Sequence, residues 1–334
     1  MRKMKAGFVK APFQFKVESV ELREIGATEV LVDVKACSLC GHDLIMASYG
    51  AKDFVQFGHE ISGVVEQVGG MVKNVKVGDK VVLESGTFDR FSDNSRNGRV
   101  DLDNKGPNFW EREGETMGFA EKIIVPMEVC VKFSDISYKG ACNIEPMGVA
   151  LDLVKVSDIR LGDTVLVMGL GPIGLMAARL AKLSGALRVY ATEMPDCTAK
   201  IELAKKWGVS EVFSPDNIPV KVDKVLVTAP PVVINDGINA CNIGGTVAFL
   251  GIAYGDAGVI PLDTTKIHFD KIKVIPSHAS PALYFPECIK LVEAGFINLE
   301  NLVTHTFKLD DLQAGIDKFR ADKNTSIKAV MIND

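Results

Sequence analysis

The chain has 334 residues, enough for about two domains, each with a core of its own. With 47% hydrophobic and 24% charged residues and a net charge of −5, it has the composition of an ordinary globular protein, and no excess of positive charge marks nucleic acid or an anionic membrane as a partner. Its seven cysteines, at 37, 40, 130, 142, 197, 241 and 288, are odd in number and scattered, which excludes a small disulfide scaffold and points to reduced thiols in a cytoplasmic setting.

The first residues run into charge without the apolar stretch of a signal peptide. The longest weakly charged run, Thr164 to Ala178, is broken by Gly169, Gly171, Pro172 and Gly174 and falls short of the ~20 apolar residues of a membrane span. No membrane partner is expected. Up to about residue 150 the apolar pattern has mostly period two, as in Val30, Val32 and Val34 and again from Ile61 to Val68, so this half reads as β-rich. Between Glu84 and Gly118 lies a long stretch of little periodicity, a feature that is usually functional or propped by something. From Asp163 the rhythm changes to strand and helix in alternation, which makes a parallel sheet: Thr164 to Met168, a helix from Pro172 to Leu183, Arg188 to Thr192, a helix from Ala199 to Trp207, then Lys224 to Thr228 and Thr246 to Leu250. Past Pro276 come helical segments Phe285 to Ala294 and Leu309 to Arg320 and a closing strand Ile327 to Ile332, a tail expected to pack back onto the N-terminal half.

Within the alternating region, Gly169-Leu170-Gly171-Pro172-Ile173-Gly174 matches G-x-G-x-x-G. The motif alone is weak, since a tight turn without a ligand has the same glycines. Its context is informative: it follows a strand, opens a helix and precedes Glu193 by 19 residues at the end of the next strand. That spacing sets a carboxylate on the ribose of a dinucleotide while backbone N–H groups at the helix start face its pyrophosphate. A carboxylate there accepts from the 2′- and 3′-hydroxyls and repels a 2′-phosphate, so NAD is expected over NADP.

Three further fragments carry metal-ligand chemistry: Cys40-Gly41-His42-Asp43, Gly58-His59-Glu60 and Ile144-Glu145-Pro146. Each alone has an ordinary explanation as a buried thiol, a turn histidine or a helix-start acid. Cys37 and Cys40 form C-x-x-C, but no second such pair completes a zinc knuckle and no thioredoxin-like unit surrounds it, so Cys37 reads as core filler. His268, His278 and His305 have no partnered motif.

Together with the Gly-rich turn, these fragments and the landmarks Gly78-Asp79-Lys80-Val81-Val82, Gly118-Phe119-Ala120-Glu121 and Glu145-Pro146-Met147 make the chain resemble the zinc-dependent medium-chain dehydrogenase/reductase (alcohol dehydrogenase) family, and its sorbitol- and threonine-dehydrogenase-like branch, over nearly its whole length. The resemblance implies an α/β fold with a GroES-like β-rich catalytic domain, residues 1–150 completed by 283–334, and a Rossmann-type doubly wound parallel sheet at 151–282 that binds NAD. It further implies one catalytic zinc held by Cys40, His59 and Glu145, with Glu60 beside it as an alternating or water-bridged ligand and Asp43 orienting the His59 ring. One thiolate, one imidazole and one carboxylate leave a fourth position open, as catalytic zinc sites do. His42 stands where the family usually has a hydroxyl residue of the proton relay; it either takes over that relay or lines the substrate cleft.

Many members carry a structural zinc on four cysteines spaced C-x2-C-x2-C-x7-C. Here that spacing falls on Asp89, Ser92, Ser95 and Asp103. Two carboxylates and two hydroxyls are a poor zinc set. A structural zinc is therefore not expected, and a lobe without it is expected to be mobile unless a subunit contact holds it. The activity implied is oxidation of a secondary alcohol, such as a polyol, sugar or sugar derivative, by hydride transfer to NAD, in a homodimer or homotetramer. Oxidation of a hydroxy amino acid, as in threonine dehydrogenases, and a non-catalytic nucleotide-binding relative are the alternatives.

Overall fold

A computed structural model describes residues 2–103, 116–279 and 284–334. The middle of the irregular stretch Glu84–Gly118 and the junction expected at 282/283 lie outside the described residues. The chain divides into two compact units, one of Met1–Glu145, Ser280–Asp322 and Lys328–Asp334, the other of Pro146–Ala279 and Lys323–Ile327. The division between Glu145 and Pro146 falls inside the helix Ile144–Val156.

In the first unit the period-two runs form the strands Glu29–Ser38 and Glu60–Val68, paired antiparallel with Val30 opposite Val68 and Ser38 opposite Glu60. Alternation buries Val30, Val32 and Val34 in a core shared with Phe57, Ile61, Val81, Leu83 and Phe119. The tail enters the same sheet, with Lys328–Ile332 antiparallel to Glu29–Ser38 and Val330 opposite Ser38. The full order is Val303–Phe307, Lys328–Ile332, Glu29–Ser38, Glu60–Val68, Lys80–Leu83 and Cys130–Lys132, with Lys122–Pro126 also paired to Glu29–Ser38. The N-terminal hairpin Arg2–Lys10 and Gln14–Leu22 forms a separate small sheet with Val55–Gln56.

The lobe that was expected to be mobile carries a fastening of its own. Ser92 caps the short helix Asp93–Arg96 by accepting from the Ser95 N–H at 3.1 Å. Its hydroxyl donates to Asp103 Oδ2, and Ser95 Oγ donates to the same oxygen at 3.2 Å. Asp103 is buried, so this carboxylate gathers two hydroxyls at three of the four positions where the family places cysteines. Hydrogen bonds to a charged acceptor contribute about 1.5–3 kcal/mol each, enough to organise one turn of chain.

The second unit is built on a six-stranded parallel sheet in the order Glu211–Phe213, Arg188–Thr192, Thr164–Met168, Val222–Val227, Cys241–Phe249 and Lys273–Pro276. Numbered along the chain this is 3-2-1-4-5-6, the Rossmann arrangement, whose order reverses beside the first strand. That strand has Val165, Leu166, Val167 and Met168 all buried, as befits a strand covered on both faces. Among the described residues, no helix is long and apolar enough to cross a membrane.

Candidate active site

The register of the large sheet explains why residues far apart in sequence meet. Ser38 lies opposite Glu60 on one side and Val330 on the other, so the ends of three neighbouring strands bring Cys40, Glu60 and Lys328 to one place. Cys40 then opens the helix Gly41–Ile45 as its N-cap: its sulfur accepts from the His42 N–H at 3.4 Å, while Asp43 Oδ2 accepts from the Cys40 N–H at 2.9 Å. This reciprocal cap fixes the thiol and the carboxylate relative to one another. His59 follows Gly58, whose φ of +92° and close backing require glycine, since a Cβ there would sit 2.9 Å from Cys37 Sγ. Cys37 is fully buried in the core, which accounts for it without a redox role.

Ligand atoms of Cys40, His59 and Glu60 lie within 4.8 Å of one another, the one such group of three among the described residues. Glu145 is outside that set. It is half-buried close by, hydrogen-bonded to Ser85, and burial holds its carboxyl above the ordinary range although His59 pulls it down. Asp43 Oδ1 stands 3.8 Å from His59 Nδ1, an ion-pair distance. Burial works against a charged His59, yet Cys40, Asp43 and Glu145 together lift its proton affinity well above that of an ordinary imidazole. A cluster in which a thiol, an imidazole and the Glu60 carboxylate converge, with Asp43 and Glu145 also acting on the imidazole, fits a divalent cation, and its mixed S, N and O donors fit zinc. His42 is exposed, its ring centroid 6.3 Å from that of His59, and burial followed by the His59 charge lowers its pKa.

Sequence reasoning overlooked Lys328. It is 3% exposed and donates from Nζ to both oxygens of Glu60, at 2.8 and 2.6 Å, while Ser38 Oγ donates to Glu60 Oε2. Burial would lower the Lys328 ammonium, but the Glu60 carboxylate together with Cys40 and Cys142 holds its pKa above the ordinary value. The signal was present, because a lone lysine inside the apolar run Ile327–Ile332 has to find an anion if that run is a buried strand.

In the second unit, Thr192 pairs with Met168, so the turn after one strand and the acid after its neighbour lie side by side. Gly169 N–H donates to Thr192 O at 3.1 Å, and Glu193 Oε2 accepts from Leu170 N–H at 3.0 Å. The helix Pro172–Leu183 is capped by Gly171, which makes no side-chain cap hydrogen bond, so its N-terminus has the chemistry that suits an anion. A Cβ at Gly174 would overlap the Gly169 carbonyl oxygen and come 2.7 Å from Thr228 Oγ1, which is why the third glycine is needed. Gly169, Gly171, Pro172, Ile173, Gly174 and Glu193 thus lie together in the arrangement expected of a dinucleotide site, and are the candidates for it.

A β-rich unit holding a thiol–imidazole–carboxylate cluster, joined in one chain to a Rossmann sheet, defines a metal- and nucleotide-dependent oxidoreductase. Comparison with known proteins agrees. Residues 26–135 match the alcohol dehydrogenase GroES-like domain and residues 172–294 the zinc-binding dehydrogenase domain. The chain is 31% identical to (R,R)-butanediol dehydrogenase of Bacillus subtilis over 89% of its length and 90% of that protein. It is 28% identical to D-xylulose reductase of Saccharomyces cerevisiae over 97% of its length and 96% of the relative's. The crystal structure of the Bacillus subtilis 2R,3R-butanediol dehydrogenase superposes with a TM-score of 0.86 at 26% identity, covering 99% of this chain and 100% of that one. The chain belongs to the zinc-binding dehydrogenase family of alcohol dehydrogenases.

Proposed function

We propose that the protein is a zinc- and NAD-dependent dehydrogenase acting on a secondary alcohol of the polyol or sugar type. The observation that carries this reading is the convergence of Cys40, His59 and Glu60 in a chain that also holds the complete Gly-rich turn and Glu193. When bound, zinc supplies the positive charge that acidifies an alcohol, and NAD supplies the hydride acceptor. Cys40 and His59 are the fixed donors. Glu60, held by Lys328 and Ser38, and Glu145, set off beside Ser85, are the two carboxylates available to complete the set. Asp43 holds Cys40 through its backbone and faces His59. His42 is the exposed imidazole next to this centre and takes the substrate proton outward; His42→Ala is expected to lower turnover without removing zinc. The first-turn N–H groups after Gly171 bind the pyrophosphate, and Glu193 accepts from the adenosine ribose.

The names of the relatives, a xylulose reductase and a butanediol dehydrogenase, support a diol or polyol over a hydroxy amino acid. A panel of polyols, sugars, amino alcohols and simple alcohols assayed with NAD, alongside zinc per chain, tests the reading. NADH formation from a polyol with bound zinc is expected. Zinc retained with no NADH formed from any alcohol would favour the non-catalytic alternative. Seven free cysteines suit a cytoplasmic location. A homodimer or homotetramer is supported by the exposed apolar Val259 and Phe269 and by the sheet edge at Lys273–Pro276, and sizing in solution checks it.

A further inference from the structure

The connection that runs from Cys40 to His59 contains a helix that changes pitch. After Gly41–Ile45 it continues through Met46–Gly50 as a π-helix, closed by Ala51 N–H donating to Met46 O at 2.9 Å. An α-helix would send that N–H to Ala47 O instead. Ala47 is fully buried, so its carbonyl needs another donor, and Phe13 N–H supplies it at 2.6 Å from the tip of the N-terminal hairpin. Ala11 N–H donates to Ala51 O at 2.8 Å. Further along, Phe8 and Val9 pair with Gln56 and Val55, and the Phe15 ring centroid lies 5.6 Å from that of Phe57. The hairpin thus grips the connection from the π-turn to the residue before Gly58-His59.

The tip is itself held in place. Phe13 has a φ of +50°, a left-handed conformation that a bulky residue keeps only where its surroundings impose it. Its ring packs against the core and carries the Arg320 guanidinium 3.4 Å from the ring centroid. Gln313, on the helix Leu312–Ala321, brackets the tip by donating from Nε2 to Phe13 O at 3.3 Å and accepting at Oε1 from Phe15 N–H at 2.8 Å. We infer that Phe13 is a positioning residue for the metal centre: by satisfying Ala47 it holds the π-turn, and so sets the register in which the connection delivers His59 to Cys40. The inference rests on the reading of Cys40 and His59 as metal donors. A return of Ala51 N–H to Ala47 O would shift the chain beyond it by one residue, about 1.5 Å along the helix and about 100° around it. The Cys40 end is fixed by its reciprocal cap with Asp43, so the shift would fall on the segment leading to His59. A metal site tolerates departures of only about 0.2 Å in its bond lengths.

The test compares the full-length parent with Phe13→Ala, which removes the ring, and Phe13→Tyr, which keeps it. Val20→Ala, in the small separate cluster on the same hairpin, serves as a variant of stability alone. The readouts are zinc affinity by competition with a chelator, the visible absorption of the cobalt-substituted protein, and hydrogen exchange at the Ala51 amide. Phe13→Ala should hold zinc on the order of tenfold more weakly, as for loss of a group that orients metal ligands, and should alter the cobalt spectrum and speed the Ala51 exchange. Phe13→Tyr should match the parent in all three, and Val20→Ala should lose stability without these changes. Gln313→Leu, which frees the tip but leaves its ring, should move the same readouts in the same direction and keeps the inference testable if Phe13→Ala does not fold. Variants that lose stability yet keep the zinc affinity and cobalt spectrum of the parent would overturn the inference, as would an equal weakening of zinc by Val20→Ala. His59→Ala separates this from the assignment of the metal donors. Zinc held as tightly without His59 means that the assignment has failed; zinc lost with His59 but indifferent to Phe13→Ala means that the positioning role has failed.

Discussion

Replacing Lys328 with methionine leaves Glu60 as a 1% exposed carboxylate that has lost the ammonium touching both its oxygens and keeps the Ser38 hydroxyl as a donor. Removing one member of a buried pair costs about 3–5 kcal/mol, because the charge left behind is neither paired nor solvated. At 3 kcal/mol the ratio of folded to unfolded chain falls on the order of a hundredfold, and the melting temperature of the unit drops on the order of 5–15 °C. Methionine fills most of the lysine stem's volume, so packing loss is a small part of this. The diagnostic is a double-mutant cycle with Glu60→Gln, measured by urea denaturation of metal-stripped protein. Lys328→Met combined with Glu60→Gln should recover about 2 kcal/mol or more over Lys328→Met alone, since a neutral amide tolerates the site. Adding zinc should also narrow the gap between parent and Lys328→Met, because a cation bound by Glu60 replaces part of the lost charge. A single variant within about 1 kcal/mol of the parent, or a double variant no better than the single, would refute the reasoning.

Three other outcomes follow from the geometry. Burial lifts the Glu84 carboxyl from 4.5 to about 8, so the folded state holds that proton more tightly than the unfolded one; stability is full below pH 4.5 and is lost as pH rises through about 8. Glu84→Gln should remove that loss and be more stable than the parent at pH 8–9 by about 2–3 kcal/mol after allowing for residual water at the site, read by denaturation at several pH values. Asp103→Ala strips Ser92 and Ser95 of their shared acceptor and should expose residues 84–103 to limited proteolysis, whereas chelators should leave that segment unchanged in the parent and metal analysis should find one zinc per chain. Two zincs per chain would contradict it. Gly174→Ala drives a methyl group into the Gly169 carbonyl and toward Thr228 Oγ1, and should weaken NADH binding at least about tenfold while zinc content stays unchanged.

Much of the second unit was legible because its signals are local. The strand Thr164–Met168, the helix Pro172–Leu183 and the strand Arg188–Thr192 have the bounds that periodicity and glycine punctuation suggest. Departures have local causes too. The strand Cys241–Phe249 begins five residues earlier than the apolar run Thr246 to Leu250, because Asn242, Gly244 and Gly245 hide its start, and the last helix begins at Leu312 because Leu309–Asp311 is a tight 3₁₀ turn. The short edge strand Lys273–Pro276 and the helix Ile234–Ala240 escaped notice, since neither is long enough to show a period. In the first unit, the mixed burial of Gln14–Leu22 blurs the alternation that would have announced the N-terminal hairpin.

The candidate metal centre divides in the same way. That Cys40, His42, His59, Glu60 and Glu145 are candidate site residues, and that Asp89, Ser92, Ser95 and Asp103 stand where the family has zinc-binding cysteines, followed from the family resemblance; that the latter four are a poor zinc set follows from residue type, because donor chemistry belongs to the side chain. Which of these atoms meet belongs to the sheet register. Pairing Ser38 with both Glu60 and Val330 delivers Lys328 to Glu60 across 268 positions of sequence, and places Cys40, His59 and Glu60 together with Glu145 to one side. The gathering of two serine hydroxyls onto Asp103 is likewise a matter of side chains reaching the same few ångströms. Periodicity and turn chemistry are written residue by residue, so the sequence by itself determined the two kinds of unit and the chemical inventory. Partners for buried charges are chosen by non-local packing, where desolvation makes an unpaired group too costly to keep, and only the tertiary structure decided those.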